Sequence, residues 1–178
     1  LLSNFGIIGG GSGNFAHGGI YLNNALGSSI IINGGTNNYA SGELSFIGGG
    51  TNNVSICSNI LGGESNRALL RSFILGGKNN FSSGEGSSIN GGINNTAMGF
   101  YSFVGGGSGN IASGDISFVG GGINNCAMAQ CSYIIGGRRS YISTSDIGAA
   151  ILADGENRDH VSSGPNTCLL YTSPSPRD

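Results

Sequence analysis

Asp154, Glu156, Asp159 and His160 fall within seven residues, "DGENRDH", and form the one cluster in this chain whose side chains could hold a metal or move protons. A calcium loop needs oxygen ligands at regular positions closing on a bidentate Glu, and this spacing lacks that pattern. The stretch is therefore read as a solvated loop or module junction. The only histidines are His17 and His160. His17 has no carboxylate near it in sequence, so a Ser-His-Asp arrangement has little to build on. "GGGSGN", at residues 9–14 and again at 105–110, has the composition of a phosphate-cradling loop. Such a loop needs Lys-Ser or Lys-Thr after the glycines, or a helix whose N-terminus meets the phosphates, and neither follows here. No catalytic, cofactor-binding or metal-binding residue is assigned, and the chain is not read as an enzyme.

Other reactive groups have plainer explanations. Cys57, Cys126 and Cys131 stand at positions that favour free thiols packed as small apolar groups. Asn53-Val54-Ser55, Asn80-Phe81-Ser82 and Asn94-Asn95-Thr96 match the glycosylation acceptor pattern, which chance explains in so Asn- and Ser-rich a chain. Composition narrows the partners. The chain has 36 Gly in 178 residues and only 9% charged residues; ordinary domains carry about 7% Gly and about 25% charge. With a net charge of −2 and a single lysine, Lys78, there is no basic footprint for nucleic acid or anionic membrane.

The glycines are periodic. The second Gly of each Gly-Gly pair falls at 11, 35, 50, 63, 77, 92, 107, 122 and 137. After an opening step of 24 the steps are 15, 13, 14, 15, 15, 15 and 15. The long first step fits one degenerate unit without the pair, around "IYLNNALGSS". A period this short predicts a stack of about ten rungs of 13–15 residues, each touching only its neighbours.

The columns of the repeat assign the roles. Three residues before each anchor the residue is Ile or Val, from Ile8 and Ile32 to Val104, Val119 and Ile134, which suits an extended strand. One place earlier, Ile31, Phe46, Phe73, Phe103, Phe118 and Tyr133 make a second apolar column. Adjacent residues on a strand point to opposite faces, so both faces are expected to be buried, the second against another copy of the chain. Ser45, Ser58, Ser72, Ser87, Ser102, Ser117 and Ser132 open the strands, where a small hydroxyl bonds locally to backbone. The Asn column, from Asn14 and Asn38 to Asn110 and Asn125, suits a left-handed turn and amides that bond to one another from rung to rung. Ala16, Ala40, Ala68, Ala97, Ala112 and Ala127 keep the opposite wall thin, and Gly18, Gly42, Gly84, Gly99 and Gly114 make a second bend.

The pattern S-[FI]-[VI]-G-G-G-x-x-N-x-A-x-G resembles the head repeats of trimeric autotransporter adhesins, the YadA-like head, and related repeats of phage and viral tail fibres. The resemblance covers residues 1–145. It implies an all-β fold, a left-handed parallel β-roll in which three chains stand side by side, and a role as the adhesive outer part of an extracellular fibre on a bacterial surface or virion. Residues 146–167, with "GGRRSYISTSDIGAAILADG" leading in, resemble the closing strand of such arrays and the start of a downstream module. Residues 168–178, "CLLYTSPSPRD", resemble a translated sequencing adapter and are set aside from fold reasoning. The natural chain is expected to begin before Leu1 and continue past Thr167.

Three functions follow as expectations. The first is a non-enzymatic head or shaft segment of a homotrimeric adhesive fibre that attaches to a host-cell glycan or matrix protein, with no membrane contact by this segment. The second is a structural segment of a phage or viral tail fibre. The third is an ice- or polysaccharide-binding roll. Repeated positions are taken up by corners, core and ladder, so binding falls to the variable ones. Glu43, Glu64, Arg67, Arg71, Lys78, Glu85 and Asp115 are the expected stripe, stacked on rungs about 4.8 Å apart.

Overall fold

A computed structural model describes residues 5–17, 29–155 and 159–171. Its regular structure is all strand, in two parallel sheets of eleven and ten strands. The strands alternate between the sheets along the chain: Ser88–Ile89 lies in the first, Thr96–Ala97 in the second and Phe103–Val104 in the first again. One rung is therefore one strand of each sheet and two corners, and the stack is a parallel β-solenoid.

The register stacks like on like. Ile89 pairs with Val104, Val104 with Val119 and Val119 with Ile134, and all four side chains are fully buried. In the second sheet Ala97 pairs with Ala112 and Ala112 with Ala127, again fully buried. The core is thus a sheet of β-branched side chains packed against a wall of Ala, and the small residues let the two sheets approach closely. Ser55 and Ser82 take the Ala position in two rungs and are buried as well.

Two corners close each rung. At the first, Gly107 has φ 83°, and a Cβ there would lie 2.1 Å from the carbonyl oxygen of Gly122 on the next rung, so glycine is required by both conformation and contact. At the second, a Cβ on Gly114 would lie 1.9 Å from the Ala129 carbonyl oxygen. Gly42, Gly84 and Gly99 occupy the same bend, while Gly18 lies outside the described residues. The Ser column works as expected in part: Ser87 Oγ donates to Gly84 O at 2.6 Å and Ser132 Oγ to Ala129 O at 2.7 Å. Ser58 and Ser72 donate instead to Ala68 O and Ser82 O of the next rung, and the buried hydroxyls of Ser102 and Ser117 have no partner among the described residues.

The Asn column works differently from expectation. Asn95 is fully buried; its Nδ2 donates to Gly91 O at 2.9 Å and to Gly107 O of the next rung at 3.0 Å, and its Oδ1 accepts from Asn110 N at 2.9 Å. The amides bond to backbone on both sides, not to each other, and the chain of such bonds runs unbroken from Asn14 to Ser140 N on Asn125 Oδ1. The left-handed residue of the corner is the one before, as at Asn37, Asn52, Asn79, Asn94 and Asn124, each with φ between 54° and 58°.

The opening step of 24 residues is also a correction. Phe5–Ile8 pairs directly with Ser29–Ile32, Ser12 bridges to Thr36, and Phe15 pairs with Tyr39. The rungs on either side of the long step are immediate neighbours, with no rung between them. Most of "IYLNNALGSS" lies outside the described residues. At the other end both sheets run past residue 145. Ala150–Ala153 continues the first sheet, His160–Val161 continues the second, and Cys168–Tyr171 pairs in register with Ala150–Ala153. These last four residues open the adapter-like segment; residues 172–178 lie outside the described residues.

Candidate binding surface

The seven stripe residues separate into three lines. Glu64 and Lys78 stand one residue after the anchor at the first corner and bridge to each other across rungs, with Lys78 Nζ 2.9 Å from Glu64 Oε1. Arg67 lies on the outward face of the second sheet, its guanidinium carbon 5.8 Å from the centre of the Phe81 ring. Glu43, Arg71, Glu85 and Asp115 are at the second bend. There Arg71 Nη1 donates to Glu85 Oε1 at 2.9 Å, and Asp115 Oδ1 accepts from Phe100 N at 2.9 Å. Solvated pairs like these contribute a few tenths of a kcal/mol up to about 1 kcal/mol, so they trim the surface more than they hold it.

The second-bend line contains a cleft, and rung length explains it. From the ladder Asn to the strand-opening Ser, the rungs starting at Asn38, Asn80, Asn95, Asn110 and Asn125 span seven residues. The rung from Asn53 to Ser58 spans five and that from Asn66 to Ser72 spans six. The missing residues come from the bend, so the edge steps inward over two rungs. The result is an open cleft of about 380 Å³ lined by Glu43, Leu44, Cys57, Asn59 and Arg71. It runs on beside Leu70 and Glu85. Leu44, Cys57, Leu70 and Arg71 all have left-handed backbone, with φ of 56°, 50°, 56° and 59°. Sequence reasoning picked out Glu43, Arg71 and Glu85 but missed Leu44, Cys57 and Asn59. The 13- and 14-residue steps were the signal, since a shortened rung in a regular stack has to leave a notch.

The other candidates do not assemble. Asp159 pairs with Arg139 Nε at 2.7 Å, whereas His160 points into the roll, fully buried, with its ring 4.5 Å from that of Tyr171 and Nδ1 3.5 Å from Ser140 Oγ. Glu156 lies outside the described residues, and among the described residues no three His, Cys, Asp or Glu side chains converge. His17 is exposed and stacks on Phe15. In the second "GGGSGN" the backbone N–H groups of Ser108 and Gly109 are used on Gly122 O and Ile93 O of the neighbouring rungs. Asn53 and Asn80 of the acceptor triplets are buried in the ladder, and Asn94 is exposed at its corner. Cys57, Cys126, Cys131 and Cys168 are free thiols, and burial pushes the Cys126 thiol up from its ordinary value. Along the first corner the residues are Ser12, Thr36, Thr51, Glu64, Lys78, Ile93, Ser108, Ile123 and Arg138, so Thr does not form a regular array there. No protein-family model matches the chain, and no curated protein matches it at a significant level.

Proposed function

We propose that this chain is a non-enzymatic head or shaft segment of an extracellular fibre, built as a trimer of parallel rolls, that attaches its owner to a glycan or matrix protein. The observation that carries this reading is the outward surface of the two sheets. On the first, Ile31, Phe46, Phe73, Phe103 and Phe118 are only half-buried, and the Phe103 and Phe118 rings stack at 5.2 Å. On the second, Tyr39, Val54, Phe81 and Ile111 are half-buried, and Phe15 stacks on Tyr39 at 5.5 Å. Apolar columns of this kind, broken by Asn59 and Ser88 on the first sheet and by Arg67 and Thr96 on the second, are characteristic of an interface. A ring of three joins each copy to two neighbours through two different surfaces, and a roll with an apolar column on each outer face supplies both. The long stack of in-register rungs supports a rigid extended part over an enclosed catalytic one.

Residues 1–167 are expected to sediment and scatter as a trimer, with Phe103→Asp giving dissociated or aggregated material because it places a charge in the buried contact. A monodisperse, stably folded monomer at micromolar concentration refutes the trimer. Binding of the purified trimer to cells or matrix-coated surfaces tests the attachment.

A further inference from the structure

We propose that the cleft at the shortened rungs receives the end of a glycan made of neutral or amino sugars. The inference rests on the adhesive reading above and assigns it a place and a ligand class. The cleft is built by deletion in two successive rungs, with Glu43 and Leu44 on one wall and Glu85 beyond Arg71 on the other. The same shortened rung changes its outward residue. Asn59 pairs in register with Phe46 on one side and Phe73 on the other, so an amide stands where the neighbouring rungs carry phenyl rings. Ser88 also interrupts the Phe column, but in a rung of full length, so Asn59 is where shape and polarity change together.

The chemistry of the lining selects the ligand. Arg71 is paired with Glu85 at 2.9 Å, while Glu43 has no ion-pair partner among the described residues, so the cleft carries one net negative charge. That charge disfavours phosphate, sulfate and carboxylated sugars and suits hydroxyl or ammonium donors. The Glu43 carboxylate accepts from two hydroxyls, Asn59 both donates and accepts, and Arg71 keeps guanidinium donors beyond the one on Glu85. Leu44, 72% exposed, offers a surface for sugar C–H groups. A few convergent polar groups around an apolar contact are the makings of a small-ligand site. The cleft opens on the edge between the sheets, away from the faces assigned to neighbouring copies, with Asn59 alone at the margin. One such contact is weak; three per trimer act together on a surface that presents many glycan ends.

The test uses the chain as it stands on a panel of soluble oligosaccharides ending in galactose, glucose, N-acetylglucosamine, glucosamine, sialic acid or sulfated sugars, followed by titration with the best of them. Binding is expected among the neutral or amino sugars. It should fall at least tenfold in both Glu43→Gln and Asn59→Phe, with the melting of Glu43→Gln unchanged. Preference for the sialylated or sulfated members overturns the proposal. Equal binding by wild type and both variants also overturns it, since the glycan then sits elsewhere, and leaves the adhesive function standing. The same holds if no glycan binds while cells or matrix protein still do. Failure to bind glycan, cells and matrix alike overturns both readings.

Discussion

Replacing Asn95 by Ala should cost the roll about 2–4 kcal/mol, although Ala removes no charge and no large apolar group. The side chain serves three backbone groups. Gly107 O keeps a partner in Ile93 N at 2.9 Å, but Gly91 O and Asn110 N lose their only one among the described residues. Each buried group left unpaired costs about 1–3 kcal/mol, and the two fall on successive rungs, on either side of one rung boundary. Asn95→Asp sharpens the test. It keeps the shape and the acceptor for Asn110 N, but turns the donor into a second oxygen facing two carbonyls. Burial and those carbonyls raise the pKa of the new carboxyl in the folded chain above its unfolded value. The folded state then binds the proton more tightly, so the variant loses stability as pH rises through the unfolded carboxyl range and recovers as pH falls. Urea unfolding at pH 4 and pH 7, with hydrogen exchange to locate the damage, reads both effects. Asn90→Ala, an exposed Asn just after the strand Ser88–Ile89, is the control and should stay within about 0.5 kcal/mol of wild type. If Asn95→Ala behaves like Asn90→Ala, or Asn95→Asp is unchanged at pH 7, the ladder does not bear the load assigned to it.

Gly107→Ala should destabilise by roughly 3 kcal/mol in thermal melts, since its Cβ would lie 2.1 Å from Gly122 O at φ 83°; little change would mean the corner is looser than drawn. Ile116→Gly should do the reverse and stabilise by up to about 1 kcal/mol, because a half-exposed β-branched residue sits at φ 57° where another rung uses Gly86. The carboxyl of Asp146 is held below its ordinary value, first by the Ser162 hydroxyl and then by Ser145 and Ser143. Its contribution is therefore present above the unfolded carboxyl value and lost as pH falls through the depressed one, and Ser162→Ala should move its NMR-detected titration upward.

The inner columns were legible because a strict period on a solenoid stacks identical positions, and β-branched opposite Ala has one sensible arrangement. The ladder was legible as a column but not as a bonding pattern. Rungs related by translation bring each Asn amide against the carbonyl of the next corner, as Asn95 meets Gly107, and only the spacing of that corner decides between amide and backbone partners. The 24-residue step was undecidable by length, since an insertion between neighbouring rungs and a degenerate rung contain similar numbers of residues. The pairing of Ser12 with Thr36 settles it. The charged stripe divided because position within a rung matters as much as rung number: Lys78 and Arg71 are seven residues apart and lie at opposite corners.

A stack in which neighbouring rungs meet through hydrogen bonds has a mechanical side. Pulled along its axis, the roll carries load across each rung boundary through strand bonds, a corner bridge and an Asn amide acting in parallel, while successive boundaries act in series. The weakest boundary gives way first, and the covalent chain then pays out. A rung of 15 residues folded into about 4.8 Å of axis extends to roughly 50 Å when drawn straight. Each failure thus lengthens the tether about tenfold locally and relieves the boundaries still intact, and the two short rungs beginning at Asn53 and Asn66 release the least slack.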